Sequence, residues 1–229
     1  MRTPLWLTWV LLALGMAQSE APVRLLALTS REEGGFFKVL GELRNPHPEP
    51  LCFVQVDLRY LDAKGQPIEV ERFTAREAGW MPSDAVMAER GVLPPGETTP
   101  FLRSRDLAKL RARPVKIEVR AAGLRLRSLE TRASIGGFVA RREGSFFRLT
   151  GFYTASGKPA MSPKVVAAIY DQSGAIQNVA SFFLTSDGTP RGEPLRQATP
   201  GQRYTFNLLL AAPVGSMREA RAWPSWACE

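Results

Sequence analysis

The sequence predicts an all-β protein, two tandem immunoglobulin-like β-sandwich domains behind an N-terminal signal peptide. The first observation is internal repetition. Phe36-Phe37-Lys38-Val39-Leu40-Gly41 returns as Phe146-Phe147-Arg148-Leu149-Thr150-Gly151 at an offset of 110. Leu61-Asp62-Ala63-Lys64-Gly65 returns as Tyr170-Asp171-Gln172-Ser173-Gly174 at an offset of 109, and Pro95-Gly96-Glu97 with Phe101 returns as Pro200-Gly201-Gln202 with Phe206 at 105. The second observation is a period of two in hydropathy, clearest where Cys52, Val54, Val56, Leu58 and Tyr60 alternate with Phe53, Gln55, Asp57 and Arg59. The third is composition: 18 prolines and 19 glycines in 229 residues suit many short strands joined by turns. The length accommodates two domains, and 45% apolar residues allow each to bury a core.

Met1-Arg2 followed by the apolar run Leu5–Ala17 reads as a secretory signal peptide, too short to span a bilayer as a helix, with an uncleaved membrane anchor as the alternative. Small residues allow cleavage after Ala17 or Ala21, so the expected division is signal peptide 1–21, first sandwich 22–130 and second sandwich 131–229. The mature chain carries no expected transmembrane segment.

Within the first repeat, Val23–Leu28 is the opening strand. Phe37, Val39, Gly41 and Leu43 share one face of the next, with Lys38 and Glu42 opposite. The three prolines of Asn45–Pro50 make a stiff loop, because each removes a ladder donor. After the long strand through Tyr60, Asp62-Ala63-Lys64-Gly65 is a turn, and Ile68–Phe73 is expected as the partner strand of that hairpin. Thr74–Leu93 breaks the pattern and reads as an irregular loop in which Ser83 could cap one helical turn. Beyond the Pro94–Glu97 turn, Phe101 starts a strand and Asp106 caps a short helical segment over Leu107 and Leu110. Val115, Ile117 and Val119 form the inner face of the closing strand, and the link to the second repeat falls near Leu129–Ser134. The second repeat follows the same course, with Val165, Ala167 and Ile169 in the places of Val56, Leu58 and Tyr60.

These residues carry a family resemblance. Gly41-Glu42-Leu43-Arg44-Asn45, Tyr60-Leu61-Asp62-Ala63-Lys64-Gly65 and Leu93-Pro94-Pro95-Gly96-Glu97-Thr98 resemble the FxLYD-type domain of exported prokaryotic proteins. The second copy keeps Tyr170-Asp171-Gln172-Ser173-Gly174, lacks the loop Asn and has Gln202 for the Glu, so it is the divergent member. The resemblance implies a β-sandwich with an accessory role outside the cytoplasm, and brings no catalytic residues with it.

Chemistry-bearing constellations are sparse. The single histidine, His47, sits between prolines, which excludes a multi-histidine metal site, and no phosphate-cradling loop or Gly-x-Ser-x-Gly elbow is present. Asp62 and Asp171 recur because the turn recurs. Cys52 and Cys228 suit an oxidising compartment and leave two arrangements open: a bridge between them, which requires the tail to reach the first repeat, or a free or intermolecular thiol at Cys228. Trp223 and Trp226 read as a cluster capping the strands. The net charge of +8 is concentrated in Arg103–Arg132, where ten basic residues face three acidic ones. With few aromatics among them, nucleic acid is not an expected partner.

The expected function is therefore that of an exported, non-catalytic, cofactor-free protein of the periplasm or cell envelope, acting as a structural or protein-interaction module. Another envelope protein is the expected partner, through Trp80, Met81 and Met87 in the irregular loop. The alternative is adhesion or wall binding, with the Arg103–Arg132 strip on an anionic envelope polymer.

Overall fold

A computed structural model describes residues 20–73, 78–189, 191–211 and 217–228. The fold is all-β. Its only helical element among the described residues is a 3-10 turn, Leu107–Lys109, whose first amides are met by the Asp106 side chain accepting from Ala108 N at 2.9 Å.

In the first half, sheet I contains β1 (Glu20–Pro22), β10 (Lys116–Arg125), β4 (Leu51–Leu61) and β7 (Asp84–Met87), in that order, with β8 (Val92–Leu93) also on β4. Sheet II orders β2 (Arg24–Glu33), β3 (Phe36–Arg44) and β9 (Thr98–Asp106). A hairpin of β5 (Val70–Phe73) and β6 (Ala78–Met81) stands outside both. In the second half, sheet III orders β15 (Ile176–Phe183), β14 (Lys164–Asp171) and β18 (Met217–Ser225). Sheet IV orders β11 (Thr131–Glu143), β12 (Phe146–Gly157) and β17 (Arg203–Ala211), and β13 (Ala160–Met161) pairs with β16 (Gln197–Ala198). All these ladders are antiparallel, and among the described residues none crosses between the halves.

The alternation in β4 produces the expected faces. Val54, Val56, Leu58 and Tyr60 are buried with Phe37, Val39, Leu43 and Phe101 between sheets I and II. Leu149, Tyr153, Val165, Ala167, Ile169, Phe206 and Leu208 do the same between sheets IV and III. The recurrent Gly and Phe are one device used twice. Gly41 faces Phe101 across the ladder and Gly151 faces Phe206, and a methyl on either glycine would collide with the ring lying over it. The repetition extends to backbone strain. Phe53 (φ 48°) and Ser162 (φ 45°) are the non-glycine residues with left-handed φ among those described, and they stand 109 positions apart. In the first half this is the site of a bulge, where Phe53 and Val54 pass opposite Gly123.

Several expectations are corrected. Ile68–Phe73 does not return along β4. Ile68 N donates to Tyr60 O at 2.8 Å, and then Val70–Phe73 turns away to pair with Ala78–Met81. The strand beside β4 is Asp84–Met87, so the stretch read as irregular supplies β6, β7 and β8, and Ser83 joins two strands instead of capping a helix; residues 74–77 lie outside the description. Val115 is 71% exposed, because β10 begins one residue later and turns Ile117 and Val119 inward. The link between the halves falls at 126–130, a few residues earlier than expected, because Thr131–Ser134 already belong to β11. Ala21, placed in the signal peptide by the expected boundary, lies fully buried in β1 opposite Gly123; residues 1–19, which hold the rest of that segment, are outside the description.

Candidate functional site at the junction of the halves

The outward residues of β3 and β14 show where the halves meet. Leu40 and Glu42 point away from the first core, yet they are 1% and 5% exposed. Leu40 and Leu102 of sheet II pack on Ala168, Tyr170, Ile176, Val179 and Trp223 of sheet III, so the four sheets stack in the order I, II, III, IV. A polar layer threads this contact. Tyr170 Oη donates to Glu42 Oε2 at 3.1 Å, and Arg221 lies 4.3 Å over the Tyr170 ring with Nη1 3.5 Å from the same carboxylate. Burial, reinforced by the Glu42 charge, pushes the Tyr170 hydroxyl pKa far up, so it remains a donor. Arg31 Nη2 donates to Gln177 O at 2.6 Å.

At one end of the stack the contact becomes covalent. Cys52 at the start of β4 and Cys228 in the tail form a disulfide with Cα atoms 6.0 Å apart, across 176 residues of sequence. The tail leading to it is held on both sides: Gly91 N donates to Ser225 Oγ at 3.1 Å and Ala227 N to Met161 O at 2.8 Å. Gly91 is required there, because a Cβ would occupy the place of the Trp226 carbonyl. Its neighbour Arg90 is 1% exposed and spends Nη1 on Glu97 Oε2 (2.7 Å) and Thr98 O (2.9 Å), while Nε and Nη2 are buried without a hydrogen-bond partner. Burial lowers its pKa and Glu97 opposes that shift. Trp226 lines several cavities, two of them sizeable. One of about 460 Å³ is lined by Pro50, Pro94, Pro95, Leu129 and Arg132 among others; one of about 230 Å³ lies along the 126–130 link.

The structure scatters the sequence-derived candidates. Trp80 is on β6, 36% exposed, with the Arg111 guanidinium 4.1 Å from its ring centre. Met81 ends the same strand, whereas Met87 is 46% exposed on β7, at the edge of sheet I. They therefore do not form one loop. His47 is fixed in place, its Nε2 2.8 Å from Pro22 O and its amide donating to Asn45 Oδ1. Asp62 Oδ1 accepts from Lys64 N and Gln66 N, and Asp171 Oδ1 from Ser173 N and Ala175 N, which assigns both carboxylates to their turns. No cluster of three or more metal-ligating side chains occurs among the described residues.

The Arg103–Arg132 strip is largely engaged. Arg103 and Arg105 chelate the buried Asp84 at 2.5–2.7 Å. Lys109 faces Glu71, Arg111 faces Glu69, Arg113 faces Glu32, Lys116 faces Glu118 and Arg125 faces Glu49, at 2.9–3.8 Å. At Asp84, burial would push the carboxyl pKa up, but the hydrogen bonds from Arg105 and Arg103 outweigh it and hold the group below its ordinary range.

Sequence reasoning missed the junction itself. The available signal was Val165–Tyr170, an uninterrupted apolar run where the equivalent stretch of β4 alternates; a strand buried on both faces loses its period of two.

No protein-family model matches the chain, and no curated protein does. Among solved structures it is similar to part of red sea bream transglutaminase, at 11% identity and a TM-score of 0.25 over 90% of this chain and 31% of that one. It is also similar to part of the b-glucuronidase from Ruminococcus gnavus, at 10% identity and a TM-score of 0.20 over 84% of this chain and 36% of that one. The chain thus spans about a third of each of these proteins, and likenesses this distant carry no argument about its activity.

Proposed function

We propose that this is an exported, non-catalytic protein of the periplasm or cell envelope, a structural and protein-interaction module of two tandem immunoglobulin-like domains related to the FxLYD type. One observation carries the reading: Cys52 and Cys228, the only cysteines of the chain, sit 6.0 Å apart at Cα and tie the first half to the tail of the second. A structural disulfide persists in oxidising compartments and is rare in the cytosol. The buried Glu42–Tyr170 hydrogen bond, with the half-exposed Arg221 beside it, supports a fixed mutual orientation of the halves, as a spacer or scaffold needs. The wall-binding alternative through Arg103–Arg132 is less well supported, because seven of its ten basic side chains are spent on Asp84, Glu71, Glu69, Glu32, Glu118 and Glu49.

Export is tested on the native protein by N-terminal sequencing. Of the two cleavage points, the one after Ala17 keeps β1 whole, whereas the one after Ala21 would remove buried Ala21 from sheet I. The expected mature terminus is Gln18. An intact Met1 in a membrane fraction would overturn the reading.

A further inference from the structure

Sheets II and IV occupy equivalent places in the two repeats, but only sheet II is covered on its outer face. The outer face of sheet IV is open. Along its ladder rows it presents Arg141 beside Arg148 and Leu209, Val139 beside Thr150 and Asn207, Phe152 beside Thr205, and Thr154 beside Arg203, with Arg132 at the end of β11. This face holds four arginines against one carboxylate, Glu143, among its described residues. Between the charges stand hydroxyl and amide groups, and three apolar side chains are exposed: Phe146 (46%), Val139 (45%) and Leu209 (44%).

We propose that the outer face of sheet IV is a binding surface for a linear anionic polysaccharide. The charge arrangement favours a long ligand. Arg132 and Arg203 lie at one end and Arg141 and Arg148 at the other; along β12 the Arg203 row is six residues, about 20 Å, from the Arg148 row, and the Arg132 row lies two residues beyond it. Arginine suits carboxylate or sulfate groups because its planar fork donates two parallel hydrogen bonds. Arg203 is held in position, 4.7 Å over the Phe152 ring, whereas Arg148 is engaged by Glu143 Oε1 and Asn207 Oδ1 at 2.7 and 2.9 Å, which leaves Arg132, Arg141 and Arg203 to meet the ligand. The threonines and Asn207 match sugar hydroxyls, while Phe146, Val139 and Leu209 match the apolar C–H faces of sugar rings. Duplex nucleic acid fits worse, since it presents a charge roughly every 1.7 Å and calls for a denser basic surface.

The repeat itself argues against a second copy of the chain stacking on sheet IV as sheet III stacks on sheet II. The face equivalent to the one that covers sheet II is the outer face of sheet I. There Asp57, Arg59 and Arg120 stand in the places of Val166, Ala168 and Trp223, so the apolar contact of the junction cannot be remade between copies. In the corner that would have to dock, Arg196 replaces Gly91, whose missing Cβ makes room for the Trp226 carbonyl.

The proposal rests on the export reading only for where the chain would meet such a polymer, and its test is independent of N-terminal sequencing. The oxidised full chain is titrated with polygalacturonate and with dextran sulfate, using neutral dextran and a short DNA duplex as comparators. Binding to the anionic glycans that weakens with salt is expected. The variant Arg132→Gln/Arg141→Gln/Arg203→Gln should lose about 10-fold or more in affinity, with the slope of log affinity against log salt falling by roughly 2–3. Arg59→Gln/Lys64→Gln/Arg120→Gln removes equal charge from the first half and should bind as the parent does. Equal losses in the two variants, tighter binding to the duplex, equal binding to neutral dextran or no binding by the folded parent would each overturn the proposal. Unchanged melting temperatures of the variants keep unfolding from being read as lost affinity.

Discussion

The two halves close the same sandwich edge with opposite chemistry. In the first, Asp84 of β7 receives Arg103 and Arg105 of β9, with Tyr60 Oη 3.4 Å away. In the second, the ladders place Ala180, Leu208 and Leu210 at those three positions and Ile169 at that of Tyr60. One edge is latched by a buried carboxylate between two guanidiniums; the other is filled with hydrocarbon. The same fold tolerates both because each satisfies its buried groups. Charges taken from water are held by paired hydrogen bonds in one case, and in the other no charge is buried at all. The comparison teaches that the charge latch is not required by the fold, and the difference can be tested from both sides.

The largest expected effect comes from breaking the latch halfway. Asp84→Ala leaves two guanidiniums facing a partly buried edge without their anion and should cost about 3–5 kcal/mol in denaturant unfolding. Converting the whole edge to its counterpart, Asp84→Ala with Arg103→Leu and Arg105→Leu, should recover most of that loss. If the triple variant is no more stable than Asp84→Ala, the two edges are not equivalent. The latch also predicts a pH dependence. Because the folded-state pKa of Asp84 is depressed, its contribution is present above the unfolded pKa, near 4, and is lost as pH falls through the folded value. The parent should therefore lose stability more steeply in acid than the triple variant.

A second contrast concerns the slots of Cys52 and Met161. Cys52 stands at the start of β4 and Met161 ends β13, just ahead of β14, and both meet the tail, Cys52 through Cys228 and Met161 through the Ala227 amide. Only the first is covalent. Cys228→Ser should cost about 2–4 kcal/mol by releasing the constraint on the unfolded chain. It should also raise hydrogen exchange at Gly91, whose donor bond to Ser225 Oγ depends on the tail being in place. An unchanged stability and exchange rate would show that the tail docks without the bridge.

How far the fold was legible follows from where the sequence keeps a single buried face. Val54–Tyr60 alternates because sheet I has one face on the core and one in water, and its inward set is read from sequence directly. Leu40 and Glu42 are not readable that way: a leucine and a glutamate on an outward face look like surface until a second half is laid on them. The β5–β6 hairpin was missed for a local reason. The chain reaches only Ile68 along β4 before leaving, and the strand that replaces it begins at Asp84, a charged residue no hydropathy pattern assigns to a buried edge. The Asp62 and Asp171 turns, by contrast, were legible residue by residue, since their hydrogen bonds are local.

The smallest expected effect tests the hairpin that the first half has and the second lacks. After the turn at Asp171, β15 runs straight back along β14, whereas after Asp62 the chain inserts β5 and β6 before β7. Trp80 on this insert is about one third exposed and rests against Arg111, which is itself paired with Glu69. The cation–ring contact is partly exposed, so Trp80→Ala should lower stability by only about 0.5–1 kcal/mol. A partner that docks on the insert would feel the change much more, since an exposed tryptophan contributes about 2 kcal/mol or more where it anchors an interface. Crosslinking of the native protein in its own cells therefore separates the two roles. A complex lost with Trp80→Ala at a nearly unchanged melting temperature makes the insert a docking element. A loss of stability well above 1 kcal/mol with the complex intact would instead make Trp80 a lid on the first sandwich, and the difference between the halves would then be one of stability alone.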